Sequence, residues 1–468
     1  MTTLGGLPEL RGVVVPQVPA PTRRAAGTVA SHRAKSSIVV HASRVDIGCI
    51  PHPEPGDVHV GEGGGELITK NSQLFPGWAG PNFLTSSLPH LLTSLPPHLL
   101  TPSPPYILSE QRRYRRRYRH EPSVADNLKP MVETLVSVLL PVGDAAQYLA
   151  DCMASLERQT MRNFEVIAVD DGSTDGSAEA LDEWAARDIR IRVIHRKHEG
   201  LVATLNAGLE FCRSPFVARM DADDVSHPRR FEFQMREMKE LPWVGVVSSL
   251  VRHFPWHGVG EGFRVYERWL NSLATPELIA RDRFVESPVA HPSVLVRREV
   301  FQMSGGYRDT EGPEDFDLWL RLMEAGVCFS KIDRYLYFWR EHVERLTRVD
   351  GRYSVENFLR CKAKYLLSGP LAQSRRVIIW GAGQTGRRLS KHLIRGGAPV
   401  EAFVDIDPAK VGRTLREKPI IGVTALSTKI EAGTVVLAAV SSRGARALIR
   451  ERLEKMGLRE TWEFWCVA

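Results

Sequence analysis

The chain has 468 residues, enough for two or three domains, and its 43% hydrophobic content is ample for packed cores. A formal charge of +7 at pH 7 is modest and does not describe a nucleic-acid binder, and no apolar run reaches the roughly 18 to 20 residues of a membrane span. Cys49, Cys152, Cys212, Cys328, Cys361 and Cys466 form no Cys-x-x-Cys pair, which argues against a disulfide framework or a structural zinc site.

Residues 1–130 show no sustained helical or strand period, and SLPHLLT (87–93) returns almost unchanged as SLPPHLLT (94–101). Proline at that density blocks helix interiors and sheet ladders alike, so a largely disordered leader is expected. Its first part carries Arg23, Arg24, Arg33, Lys35 and Arg44 against Glu9 as sole acid. That composition resembles an organelle transit peptide; a leader with no targeting value is the equal alternative. The expected protein is soluble, in the cytoplasm, or in the plastid stroma if the leader is a transit peptide. The block QRRYRRRYRH (111–120) reads as a solvated linker face, with binding to anionic lipid, as a peripheral membrane contact, or to nucleic acid as the minority reading.

From Thr134 the pattern changes. TLVSVLLPV reads as a buried strand, AQYLADCMASLERQ as an amphipathic helix and NFEVIAVDD as a second strand ending in acids. SAEALDEWAARD is a helix, IRVIHR a strand, LVATLNAGLEFC a helix and PFVARMDADD a fourth strand. Such alternation means βαβ units and a mainly parallel sheet with flanking helices, whose ligands bind beyond the carboxyl ends of the strands. Those ends carry Asp144, Asp170, Asp171 and the run Asp221 to Asp224.

A strand-end Asp-x-Asp suits a hard cation, Mg²⁺ or Mn²⁺, which takes a few carboxylates plus substrate phosphates. An Asp-rich turn capping a helix before Pro228 is the bland alternative, and Asp224 is read as such a turn or capping residue. Farther on, PEDFDLWLRL places Glu314, Asp315 and Asp317 in the first turn of an apolar-periodic helix, where the macrodipole favours acids in any case.

The segments VSVLLPV, VDDGSTDGS, MDADD, HPSVLVRREV, GGYRD and PEDFDLWLRL, in that order, resemble the family 2 glycosyltransferases of GT-A fold. The resemblance implies that Asp170 and Asp171 contact the nucleotide, with Asp144 where the family often has asparagine. It implies that Asp221 and Asp223 hold the diphosphate through the metal, that Glu314 and Asp315 form the catalytic pair, and that Asp315 is the base. WREHVERLTR (339–348) is similar to the segment that supplies a metal or phosphate ligand, making His342 a metal candidate and Arg340 and Arg345 phosphate partners. His291 is either an acceptor-side residue or a structural histidine at a strand start, and Trp319 is either core or an acceptor platform. The implied reaction is inverting transfer from a nucleotide-sugar donor to a hydroxyl of a glycan, lipid or protein. The absence of a Gln-x-x-Arg-Trp signature after the base favours non-processive transfer. A nucleotidyltransferase and a non-catalytic sugar-nucleotide binder are the alternatives.

The last stretch, RRVIIWGAGQTGRRLSKHLIRGGAPVEAFVDID, is strand, glycine turn, helix and strand. Gly381, Gly383 and Gly386 form Gly-x-Gly-x-x-Gly, and Asp405 stands where a ribose-binding acid belongs. A smaller Rossmann-like α/β domain is expected there, with NAD or another nucleotide as ligand. The expected division is a leader at 1–130, the GT-A unit at 131–350, a helical connector at 351–374 and the second unit at 375–468.

Overall fold

The computed structural model describes residues 134–468. The leader, its repeats and the basic block lie outside the described residues. The first sheet contains β1 (Val136–Val142), β2 (Phe164–Asp170), β3 (Ile191–His195), β4 (Phe216–Arg219), β5 (Val225–Ser226), β6 (Val244–Phe254), β7 (Leu295–Arg297) and β8 (Cys328–Arg340). They lie in the order β3-β2-β1-β4-β7-β6-β8-β5. β1 to β4 are mutually parallel, as the βαβ reading requires, while β7 and β5 run antiparallel to their neighbours. The architecture is the mixed, mainly parallel α/β sheet expected.

All seven residues of β1 are buried, consistent with a continuous apolar run covered by helices on both faces. One face packs against the helices Ala146–Glu157 and Ser177–Arg187 through Leu149, Leu181 and Trp184; the other packs with Leu205, Trp319 and Leu322. β4 stops at Arg219, sooner than its sequence suggests, because after Met220, whose N–H still reaches the Leu139 carbonyl of β1, residues 221–224 turn out of the sheet. That turn lifts Asp221 and Asp223 clear of the ladder.

The second sheet contains β9 (Arg376–Trp380), β10 (Val400–Val404), β11 (Thr414–Leu415), β12 (Lys418–Ile421), β13 (Thr434–Ala438) and β14 (Phe464–Cys466), in the order β11-β12-β10-β9-β13-β14. All pairs are parallel except β11 with β12. The glycine turn after β9 is sterically required: a Cβ on Gly386 would lie 1.8 Å from the Gly381 carbonyl oxygen, and Gly381 itself sits at φ +126°.

The helix Val355–Ser368 joins the two sheets. Its Leu359 and Leu366 share a core with Phe284 and Phe316 from the first unit and with Val377, Trp465 and Val467 from the second. Among the described residues no helix is long and apolar enough to cross a membrane.

Candidate active site

Beyond the carboxyl edge of β1, β2 and β4 opens a cavity of about 1120 Å³. Parallel strands deliver their ends to one edge, and so acids far apart in sequence converge. Asp144, Asp171, Asp221, Asp223, Glu314 and Asp315 all line it.

The first two loops are tied together. Asp144 takes a left-handed conformation, φ 45°, which a short polar side chain tolerates. Its carboxylate accepts the Thr174 N–H at 2.7 Å, and its own N–H donates to Ser173 Oγ at 3.1 Å. Asp170 is not on the cavity wall. Its carboxylate accepts the Ser173 N–H at 3.0 Å and lies 3.1 Å from His195 Nδ1, so it organises the turn. The expectation of a nucleotide contact at Asp170 is corrected on that ground. Asp171 does reach the cavity while accepting the N–H groups of Glu199 and Gly200 at 2.9 and 3.0 Å.

The turn after β4 gathers three carboxylates, those of Asp221, Asp223 and Asp224, with oxygens within 4.8 Å of one another. Asp221 pairs with the buried Arg219 at 2.6 Å. Burial raises its pKa despite Arg219, and the Asp223 charge adds to the rise. Burial also works against ionisation of Asp223, but the hydrogen bond from His342 at 2.8 Å and the field of Arg345 outweigh it, leaving its pKa low.

Asp224 is fully buried. It accepts Tyr337 Oη–H at 2.8 Å and the Arg340 N–H at 2.6 Å, and burial followed by its two acidic neighbours pushes its pKa well up. It therefore latches the turn to β8 rather than capping the next helix. The residues fit a divalent cation through Asp221 and Asp223, since like charges crowded at a cavity wall are relieved by one.

Two further candidates lie off the cavity wall. The Arg340 guanidinium lies over Phe254 and Tyr148, donates from Nε to the Asp223 carbonyl at 2.6 Å and pairs with Asp151 at 2.8 Å; it buttresses the acid turn from outside the cavity wall. Trp319 is 0% exposed, edge-to-face with Phe329 and His291, and a ring sealed in the core is no acceptor platform. Arg345 and His342 do line the cavity.

Opposite the metal candidates, the helix Glu314–Glu324 presents its first turn. Glu314 is 1% exposed, accepts Tyr353 Oη–H on both oxygens at 3.0 and 2.9 Å, and has a pKa raised by burial. Asp315 accepts its hydrogen bonds from the Phe316 N–H at 2.7 Å and Ser287 Oγ–H at 3.3 Å. Burial, with the Glu314 charge beside it, pushes the Asp315 carboxyl up to about 8. His291 is buried against Tyr307, 2.8 Å from its hydroxyl, and burial together with Arg219 holds its pKa well below the ordinary value. It lies on the cavity wall as a neutral imidazole 3.7 Å from Glu314.

Sequence reasoning missed Arg219, Glu286 and Tyr353, all on this wall. Arg219 sits inside the quoted run PFVARMDADD, where a lone arginine two residues before an acid was the available signal.

In the second unit a cavity of about 490 Å³ abuts the glycine turn, lined by Ala382, Gly383, Arg387, Arg388, Lys410 and Arg413 among others. Gly383 is open to it, whereas Gly381 and Gly386 shape the turn. Asp405 is not on its wall. Its carboxylate accepts the Ala382 N–H at 3.1 Å, the Asp407 N–H at 3.0 Å and Lys410 Nζ at 3.1 Å, so it braces the loop.

The profile described as "Glycosyl transferase family 2" matches residues 137–304, and that described as "CoA binding domain" matches residues 372–462. The Bacillus subtilis (strain 168) protein EpsE, which carries a glycosyltransferase name, is 32% identical over 234 residues, 47% of this chain and 78% of that one. The amylovoran biosynthesis glycosyltransferase AmsE of Erwinia amylovora is 34% identical over 179 residues, 38% of this chain and 65% of that one. The solved structure of S. aureus TarS 1-349 covers 56% of this chain and 71% of its own at 17% identity, with a TM-score of 0.41. With the family profile lying over the strands that carry the acid turn, and a relative matched over most of its length, this chain belongs to the family 2 glycosyltransferases.

Proposed function

We propose that the protein is an inverting, metal-dependent and non-processive glycosyltransferase that moves a sugar from a nucleotide-sugar to an acceptor hydroxyl. The observation that carries this reading is Asp315, a half-buried carboxyl on a cavity whose wall also holds the Asp221 and Asp223 pair, its pKa raised to about 8. A general base works best when its pKa lies near the operating pH, and an unshifted carboxylate would be too weak.

In this scheme the donor diphosphate lies at Asp221, Asp223 and His342, with the nucleoside toward Asp144 and Asp171. Mg²⁺ or Mn²⁺, held there, would neutralise charge on the departing diphosphate. Asp315 accepts the proton of the acceptor hydroxyl as its oxygen bonds to the anomeric carbon. The bond from that carbon to the diphosphate oxygen breaks, and its electron pair leaves with the nucleotide. Glu314, held by Tyr353, keeps negative charge beside Asp315 and so sustains its basicity. Direct displacement from the face opposite the leaving group inverts the anomeric centre.

Catalysis is assigned to residues 131–350, and a separate anionic ligand to residues 375–468, joined through 351–374. The basic lining of the second cavity supports a phosphate-bearing nucleotide, and the engagement of Asp405 disfavours a dinucleotide read through its ribose.

Incubation with UDP-, GDP- and dTDP-sugars plus Mn²⁺, measuring nucleotide release, tests the reading. Release with one donor, dependent on the metal and enhanced by an acceptor sugar, is expected. No release with any donor, together with no metal-dependent nucleotide binding, overturns it.

A further inference from the structure

One stretch of the cavity wall is held partly from outside the transferase unit. The segment 282–288 runs between the two sheets and carries Glu286 and Ser287, both on the cavity wall, with the Ser287 hydroxyl shared between the Val289 carbonyl at 3.2 Å and Asp315 Oδ2 at 3.3 Å. Short segments of this kind depend on their neighbours for position, since no ladder hydrogen bonds fix them.

Side chains from both units supply that position; from the transferase side, Tyr266 of the helix Glu261–Ser272 donates its hydroxyl to the Ser287 carbonyl at 3.0 Å, and Trp269 Nε1 donates to Asp282 at 3.4 Å. Lys362, buried in the helix Val355–Ser368, donates from Nζ to the Val285 carbonyl at 2.7 Å and to the Val467 carbonyl at 3.1 Å. Arg450, in the helix Ala445–Lys455, pairs with Asp282 at 2.8 Å. Phe284 packs edge-to-face on Trp465 of β14, with ring centroids 5.4 Å apart. At the other end Lys331, from β8, donates to the Pro288 carbonyl at 3.1 Å. The Arg450 and Trp465 contacts come from the second unit, and the Lys362 contact ties the segment to the residue after β14.

A buried ammonium bridging two carbonyls is costly to place and costly to break. Burial lowers the pKa of Lys362, opposed by the Glu286 carboxylate nearby. Removing the ammonium leaves both carbonyls without that donor, one beside the cavity and one at the end of β14.

We propose that the second α/β unit braces the back wall of the transfer site: Lys362, clamped between Val467 and Val285, is a positioning residue that sets Ser287 and Glu286 against Asp315. This rests on the reading of Asp315 as base. A segment displaced by even 1 Å moves the Ser287 hydroxyl off Asp315 while leaving the diphosphate end of the cavity untouched.

The test uses the full chain and the donor the native protein accepts, with variants Lys362→Met, Lys362→Arg and Arg450→Met. Turnover is followed by nucleotide release, UDP affinity in Mn²⁺ by calorimetry. Lys362→Met and Arg450→Met are expected to lower kcat about tenfold or more, Lys362→Arg to recover most of it, and UDP affinity to hold within about twofold in all three. The inference is overturned if kcat stays native in Lys362→Met and Arg450→Met, or if UDP affinity falls in step with kcat. Should Lys362→Met fail to fold, Arg450→Met, which touches no cavity residue, decides alone. Asp315→Asn separates the two claims: full transfer in that variant sinks the base assignment, whereas its loss alongside native Lys362→Met and Arg450→Met sinks only the positioning role.

Discussion

His342 and Asp223, 119 positions apart, meet at 2.8 Å across the mouth of the acid turn. The contact joins the end of the β8 segment to the turn after β4, so the metal candidates come from two sides of one opening. Asp223→Asn and His342→Ala should each weaken Mn²⁺-dependent UDP binding by about tenfold or more, consistent with the loss of a ligand or its orienting partner. Calorimetry with and without EDTA reads this. Equal UDP affinity in metal and in chelator would remove the metal role.

The base makes a sharper prediction. Asp315→Asn should lower transfer by roughly 10²- to 10⁴-fold, the range for a lost general base, with UDP affinity unchanged. In the native protein kcat/KM should climb as pH rises through about 8 and level above it, because only the ionised form of Asp315 accepts a proton. A pH-rate profile flat from 6 to about 9 would show that Asp315 does not titrate in the rate-limiting step.

The same carboxyl affects stability with a defined sign. Its folded value, about 8, lies above the unfolded value near 4, so folding takes up a proton between those limits. Native stability therefore falls as pH rises through that window. Asp315→Asn should flatten the fall, raising the melting temperature relative to native at pH 7.5 and not at pH 4.5. Thermal denaturation at the two pH values measures the difference.

Trp319→Ala separates a core tryptophan from a substrate platform. With its ring fully buried, the substitution should cost about 3 to 5 kcal/mol of stability. UDP affinity of the folded fraction should be unchanged. Chemical denaturation paired with calorimetry checks both, and a stability loss under about 1 kcal/mol would contradict the packing.

Much of the transferase unit is readable without coordinates because its cues are local. The all-apolar run of β1, the alternation with amphipathic helices and the acids at strand ends are each set by a few neighbouring residues. The candidates that failed share one feature, a side chain whose direction local pattern does not constrain. Asp170 and Asp171 are adjacent at the end of β2, and only the second reaches the cavity, since successive side chains on a strand point to opposite faces. Trp319 fits an apolar helix stripe equally as core or as platform, and contacts from Phe329 and His291 decide it.

The amino-acid sequence by itself determined the architecture, the family resemblance and the identity of the acids, because strand periodicity and the chemistry of carboxylates are properties of short segments. Only the tertiary structure decided which acids share a cavity, that burial beside Glu314 lifts Asp315 toward neutrality, and that Lys362 joins the last strand to the wall beside the base. Those outcomes depend on dehydration and on groups brought together from distant positions, and neither exists until the chain has folded.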